Sequence, residues 1–283
     1  MTTPEPVPVQ PGSEISDTSE ITAHTILPAQ REDIELKTAD GLTLVGELAL
    51  PPAGRPPVAT LVTFHPLPTE AGMMDSHVLR KAAWRLPALA DLAVLRFNTR
   101  GTTSARGTSE GHFGNGVDER HDVAAAIDFV DYRDLPNPWA LGWSFGTELT
   151  LKYACEPQIR GAILLSPPLH RATETDIQHW ADSAKPVRIL VPEFDDYLRP
   201  EQARQRFAAL LTPESKSHGS DLIAVDGAKH LWVGEKYVRT VLNEITRTLN
   251  PTAAPLPTTY DSRFGPAEKY TTTPTPTPRP SAS

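Results

Sequence analysis

Residues 139–147 read Trp139-Ala140-Leu141-Gly142-Trp143-Ser144-Phe145-Gly146-Thr147, and helical spacing continues to Cys155. An apolar strand that passes directly into a helix has to reverse over very few residues. Gly-x-Ser-x-Gly suits such a turn, because the flanking glycines leave space where a Cβ would collide with the neighbouring backbone. The turn lifts the Ser144 hydroxyl clear of the strand and turns the Phe145 N–H toward any carbonyl that the hydroxyl meets. A tight turn with an incidental serine is the alternative. The strand before it and the helix after it favour a nucleophile.

Working outward from this turn, β-rich apolar runs occupy 42–50, 58–64, 93–98, 139–143, 161–165, 187–191 and 222–225. Amphipathic helical stretches lie between most of them, at 77–92, 118–132, 145–155, 200–211 and 235–249. From residue 58 onward the strands are apolar throughout, as in a parallel sheet buried on both faces. Residues 34–37 and 42–50, joined by Ala39-Asp40-Gly41, read as an antiparallel hairpin at one edge. The pattern predicts an α/β fold: a mostly parallel central sheet of about eight strands, with helices on both faces.

A serine hydroxyl needs a base, and the base needs an orienting acid. Two later strands end in suitable residues. Residues 188–191 lead to Pro192-Glu193-Phe194-Asp195-Asp196, and residues 222–225 lead to Asp226-Gly227-Ala228-Lys229-His230. Both sites lie at the carboxyl ends of predicted strands, where open α/β sheets build their sites. His170, His179 and His218 also follow Ser144, but none comes directly after a convincing late strand. His230 is therefore the expected base, and Asp195 or Asp196 the acid.

The strand at 58–64 ends in His65-Pro66-Leu67-Pro68. Acyl transfer requires two N–H groups facing the developing oxyanion. Pro66 and Pro68 have no N–H, so within Pro66–Pro68 only Leu67 can supply the second donor beside Phe145. A cis bond at Pro66 is one way to fix this turn.

The segments His65-Pro66-Leu67-Pro68, Val94-Leu95-Arg96-Phe97-Asn98-Thr99-Arg100-Gly101, Ser109-Glu110-Gly111, Gly116-Val117-Asp118-Glu119, the Ser144 turn and Gly227-Ala228-Lys229-His230 together resemble a bacterial subgroup of the α/β-hydrolase superfamily. That subgroup is similar to dienelactone hydrolase and serine aminopeptidase-like proteins, and the resemblance spans roughly residues 30–250. It implies an α/β-hydrolase fold and a Ser144–His230–Asp195 triad, with Asp195 preferred to Asp196 by its spacing. This chain has Pro192-Glu193-Phe194-Asp195 where the family reads Gly-x-x-Asp. Dienelactone hydrolases use a cysteine nucleophile, so lactone chemistry does not carry over to Ser144.

The resemblance also implies that a lid, if present, enters after the sixth strand. Only residues 167–186 are available there, enough for one or two short helices and so a minimal lid. An open pocket shaped by residues 167–169 and 177–180 follows, with His65, Met73, Trp143, Leu169 and Trp232 as expected lining. The glycine-rich stretch 101–116 lacks Gly-Lys-Ser/Thr, and the next helix opens on Asp118-Glu119, which repels phosphate. It is expected to fold beside the site. His112, His121, Asp118 and Asp122 lack metal-ligand spacing and read as surface charge.

Composition sets the outer limits. The formal net charge of −8 argues against nucleic acid as a partner. No apolar run approaches the roughly 18 residues of a membrane span. A single cysteine, Cys155, excludes an intramolecular disulfide and a cysteine-rich zinc site. Of the 29 prolines, five precede Gln30 and eight lie from Pro251 onward. These ends, 1–30 and 251–283, are expected to be disordered tails around a hydrolase domain at 31–250, though aromatic residues near Tyr260, Phe264 and Tyr270 offer a way to dock back. The start lacks the basic and apolar regions of a secretory signal, so a cytoplasmic location is expected. The expected activity is cleavage of a small-molecule ester, thioester or amide without a cofactor. Acyl transfer on the same triad and a non-catalytic hydrolase-fold binding protein are the alternatives.

Overall fold

The computed structural model describes residues 18–261, 265 and 267–269. Eight strands make up the central sheet: β1 (Gln30–Lys37), β2 (Thr43–Leu50), β3 (Ala59–Phe64), β4 (Leu92–Phe97), β5 (Pro138–Trp143), β6 (Gly161–Leu165), β7 (Val187–Phe194) and β8 (Asp221–Lys229). Their spatial order is β8-β7-β6-β5-β3-β4-β2-β1. From β8 across to β4 all neighbours are parallel, while β2 pairs antiparallel with both β4 and β1. β3, β4 and β6 are buried at every residue, which accounts for their unbroken apolar sequences. β1, at the edge, is mostly solvated and turns only Ile34 and Leu36 inward.

Helices α1 (His77–Ala90), α2 (Arg120–Tyr132), α3 (Phe145–Tyr153), α4 (Glu174–Asp182), α5 (Pro200–Arg206), α6 (Ala208–Leu211) and α7 (Glu235–Leu249) cover the sheet. Val78, Leu79 and Leu86 of α1 join Val238, Val241 and Ile245 of α7 on one face. Val123 of α2, Leu149 of α3 and Ile177 of α4 fill the other. The chain leaves β3 for β4 on one side, and later places β5 on the other side of β3. Strand order therefore reverses between β3 and β5, and the crevice at their carboxyl ends is where such sheets bind ligands. Between β6 and β7 the chain forms only α4, so no lid domain covers this end. Among the described residues no helix is long and apolar enough to cross a membrane.

Two described segments inside the spans that composition reads as tails pair across the chain ends. Thr18–Glu20 pairs antiparallel with Thr259–Asp261, and Thr25–Ile26 with Glu268–Lys269. Ile21, Leu27 and Tyr260 pack with Ala88 of α1. Neither end has enough apolar surface to order itself, but each supplies the backbone partners of the other and both gain a greasy patch on α1. The ordered body thus extends beyond 31 and 250. Residues 1–17, Phe264, Tyr270 and the remainder of the C-terminal end lie outside the described residues.

Candidate active site

The strand-to-helix turn between β5 and α3 holds Ser144 at φ 52° and ψ −116°, a conformation that L-residues adopt only under constraint. The constraint is visible. The Ser144 amide donates to the Leu165 carbonyl of β6 at 2.9 Å, while the amide and hydroxyl of Thr147 both donate to the Ser144 carbonyl. A Cβ on Gly142 would lie 2.3 Å from the Gly146 carbonyl oxygen, and one on Gly146 would lie 2.0 Å from the Phe64 carbonyl oxygen. Both glycines are therefore steric requirements, the second because α3 begins directly against the end of β3.

His230 follows the last residue of β8. Its Nε2 lies 2.8 Å from Ser144 Oγ, and its Nδ1 lies 2.9 Å from Asp195 Oδ2. Asp195 Oδ1 accepts the amides of Tyr197 at 2.9 Å and Leu198 at 3.2 Å. Burial raises the pKa of this carboxyl, but the bond from His230, its charge and the two amides outweigh burial and bring it below the usual value. An ionised carboxylate only accepts, so Nδ1 carries the proton that faces it and Nε2 is left to accept the serine O–H. Asp196 is exposed. The structure thus brings Ser144, His230 and Asp195 together from the ends of three strands, and leaves Asp196 outside.

Two side chains to which sequence reasoning gave no such part hold the His230 backbone. The Ser166 hydroxyl donates to the His230 carbonyl at 3.0 Å, and the Trp143 indole N–H reaches it at 3.3 Å. Ser166 directly follows β6, and its position at a strand end was the available signal. Tyr197 sets its ring edge-on to the imidazole, with centroids 4.7 Å apart. Glu193 ties the irregular end of β8 to β7 by accepting the Gly227 amide at 2.7 Å.

Leu67, Ser144 and Phe145 share the wall of a cavity of about 120 Å³. Among the described residues neither the Leu67 nor the Phe145 amide donates to another protein group. The His65–Pro66 bond is trans; the cis bond among the described residues is Ala254–Pro255. The expected lining needs correction. His65 is fully buried: its Nδ1 faces the Pro66 carbonyl at 2.7 Å and its Nε2 accepts the Thr99 amide at 3.0 Å. Burial lowers its pKa to about 4. Trp143 and Trp232 lie in the core under the site, because their rings pack against α1 and α7. Leu169, Ile177 and Trp180 face the opposite core, and Met73 does not line the cavity. Glu70, Pro168, His170, Arg171, Tyr197 and Leu231 form its wall instead. Loop residues, unlike those large apolar rings, have no core to fill.

The glycine-rich stretch reaches the site through Phe113, edge-on to Phe145 at 5.4 Å. Asp122, expected on the surface, is buried because Arg100 clasps its carboxylate through Nε and Nη2. Among the described residues no three His, Cys, Asp or Glu side chains cluster to hold a metal ion.

No family model matches the chain. An uncharacterized protein of Rickettsia prowazekii is 28% identical over 184 residues, covering 64% of this chain and 74% of that protein. Among solved structures, a serine hydrolase without a lid from Xanthomonas campestris superposes with TM-score 0.64 at 24% identity, covering 82% of this chain and 99% of that one. A serine hydrolase homologue from Coxiella burnetii gives TM-score 0.63 at 24% identity, covering 77% and 97%. An esterase of Pyrococcus furiosus gives 0.63 at 16% identity, covering 79% and 93%. The chain has the α/β-hydrolase fold. In an α/β-hydrolase the nucleophile turn follows the fifth strand and acid and base follow later ones, the order in which Ser144, Asp195 and His230 occur here.

Proposed function

We propose that the protein is a serine hydrolase that cleaves a small carboxylic ester, or a thioester or amide, through an acyl-enzyme. The observation that carries this reading is the continuous chain from Ser144 Oγ to His230 Nε2 and from Nδ1 to Asp195, at 2.8 and 2.9 Å, beside two unengaged amides. As Ser144 Oγ bonds to the substrate carbonyl carbon, its proton passes to His230 Nε2. The carbonyl electron pair moves onto oxygen, where the Phe145 and Leu67 N–H groups meet it. Collapse of this intermediate breaks the bond to the alcohol, which leaves with the proton from Nε2. Water, deprotonated by His230, then releases the acid and restores Ser144. Asp195 stays ionised and holds the imidazole in the productive tautomer.

Labelling with a fluorophosphonate tests the reading. Wild-type protein is expected to label at Ser144 and to hydrolyse short nitrophenyl esters; Ser144→Ala and His230→Ala are expected to lose turnover. A folded wild-type protein that neither labels nor turns over any ester in the panel would refute the proposal.

A further inference from the structure

Arg171 shares the cavity wall with Ser144 and is half-buried. Its backbone lies in the loop between β6 and α4. There the buried Glu148 of α3 accepts the amides of His170 at 2.6 Å, Arg171 at 2.9 Å, and Ala172. The side chain is held independently. Nε donates to the carbonyl and to Oδ1 of Asn115, each at 3.1 Å, and Nη2 donates to the same Oδ1 at 2.6 Å. The guanidinium carbon lies 5.2 Å from the centroid of the Phe145 ring. Its stem passes Gly116, where an added Cβ would come within 2.9 Å of Arg171 Cδ.

This cation, hydrogen-bonded to the exposed Asn115, has no neutralising partner among the described residues. Arg100 shares its charge between Asp40 and Asp122. Arg171, by contrast, bonds only to the neutral Asn115, and Nη1 donates to no group among the described residues. Glu70, on the same wall, is exposed and lies beyond ion-pair distance from Arg171. With its Nε edge engaged by Asn115, the guanidinium leaves the Nη1 edge, together with the second Nη2 hydrogen, as the fork for a carboxylate. It also stacks on the side chain of Phe145, the residue whose amide adjoins the nucleophile. We propose that Arg171 determines specificity: it selects esters whose acyl part carries a second, ionised carboxylate, the monoesters of short dicarboxylic acids. This inference rests on the serine hydrolase reading.

The test compares nitrophenyl monoesters of succinic, glutaric and adipic acid with their methyl-capped, uncharged counterparts. For at least one chain length, wild type is expected to show kcat/KM about tenfold or more in favour of the anion. Arg171→Met should bring that ratio to one or below, and Arg171→Lys should retain part of it; Glu70→Gln should not lower it. Thermal melts establish that each variant is folded. A ratio that is the same in wild type and in Arg171→Met overturns the inference even when Ser144 labels normally. If Ser144 does not label at all, the hydrolase reading fails separately. Binding of the monomethyl esters of succinic, glutaric and adipic acid to Ser144→Ala, followed by NMR titration, then decides whether Arg171 is an anion site. Binding lost on adding Arg171→Met supports the anion site, and no binding to Ser144→Ala overturns it.

Discussion

At the scale of single residues, adjacent and chemically identical side chains have different surroundings. Asp195 is buried against two amides and an imidazole, whereas Asp196 faces solvent. Asp195→Asn removes the acceptor that holds Nδ1–H and favours the wrong tautomer, so kcat for a nitrophenyl ester should fall by about 10⁴. Asp196→Asn should stay near wild type. The reverse result would exchange the two roles. His65 makes a different prediction, about stability. Its Nε2 accepts the Thr99 amide, so protonation would set one donor against another. With a folded pKa of about 4 against 6.5 for the free side chain, the unfolded chain takes up the proton first. His65 therefore contributes stability above pH 6.5 that is lost as pH falls toward 4, about 3 kcal/mol in all. Calorimetry from pH 7.5 to 4.5 should show a shallower fall in Tm for His65→Gln than for wild type. Parallel curves would remove His65 from the account.

At the scale of elements, the turn at Ser144 was legible in sequence because its geometry requires two glycines at fixed spacing. The carbonyl oxygens that impose the requirement come from Gly146 itself and from β3, far away in the chain. The loop between β6 and α4 was less legible. Its shape depends on Glu148, which in sequence is a polar residue in the first turn of α3. In the structure it is a buried carboxylate gathering three amides. A glutamine there would turn an NH₂ toward those donors. Glu148→Gln is expected to lower the unfolding free energy by about 2 kcal/mol, read from urea denaturation at unchanged m-value. No change in the midpoint would mean that the loop holds its shape without the charge. The expected lining failed for a related reason. Trp143 and Trp232 belong to the right segments, but in-versus-out at a strand end depends on which face has a helix to pack against.

At the scale of the whole molecule, residues 18–27 and the described residues of 259–269 pair with each other and pack on α1. The Leu27 amide donates to the Trp84 carbonyl at 3.0 Å, and Arg85 Nη2 donates to the Thr22 carbonyl at 2.9 Å. Removing residues up to 28 takes away the buried Ile21 and Leu27 side chains, a loss of about 3–6 kcal/mol by area alone. A chain beginning at Ala29 should melt well below the full-length protein; an unchanged Tm would show that the ends add nothing to stability. The sequence by itself determined what depends on local spacing: alternating strands and helices, the glycine-flanked serine, and the acid and histidine that follow later strands. These are legible because backbone geometry and hydrophobic period act over a few residues. Tertiary structure alone decided that Asp195 meets His230 while Asp196 faces solvent, a choice that only family resemblance had favoured; it also decided that His65 and the two tryptophans are buried, that Arg171 reaches the cleft, and that residues 18–27 pair with residues near the other end. Each of these turns on burial and on partners distant in the chain, and a composition rule averages over such long-range contacts.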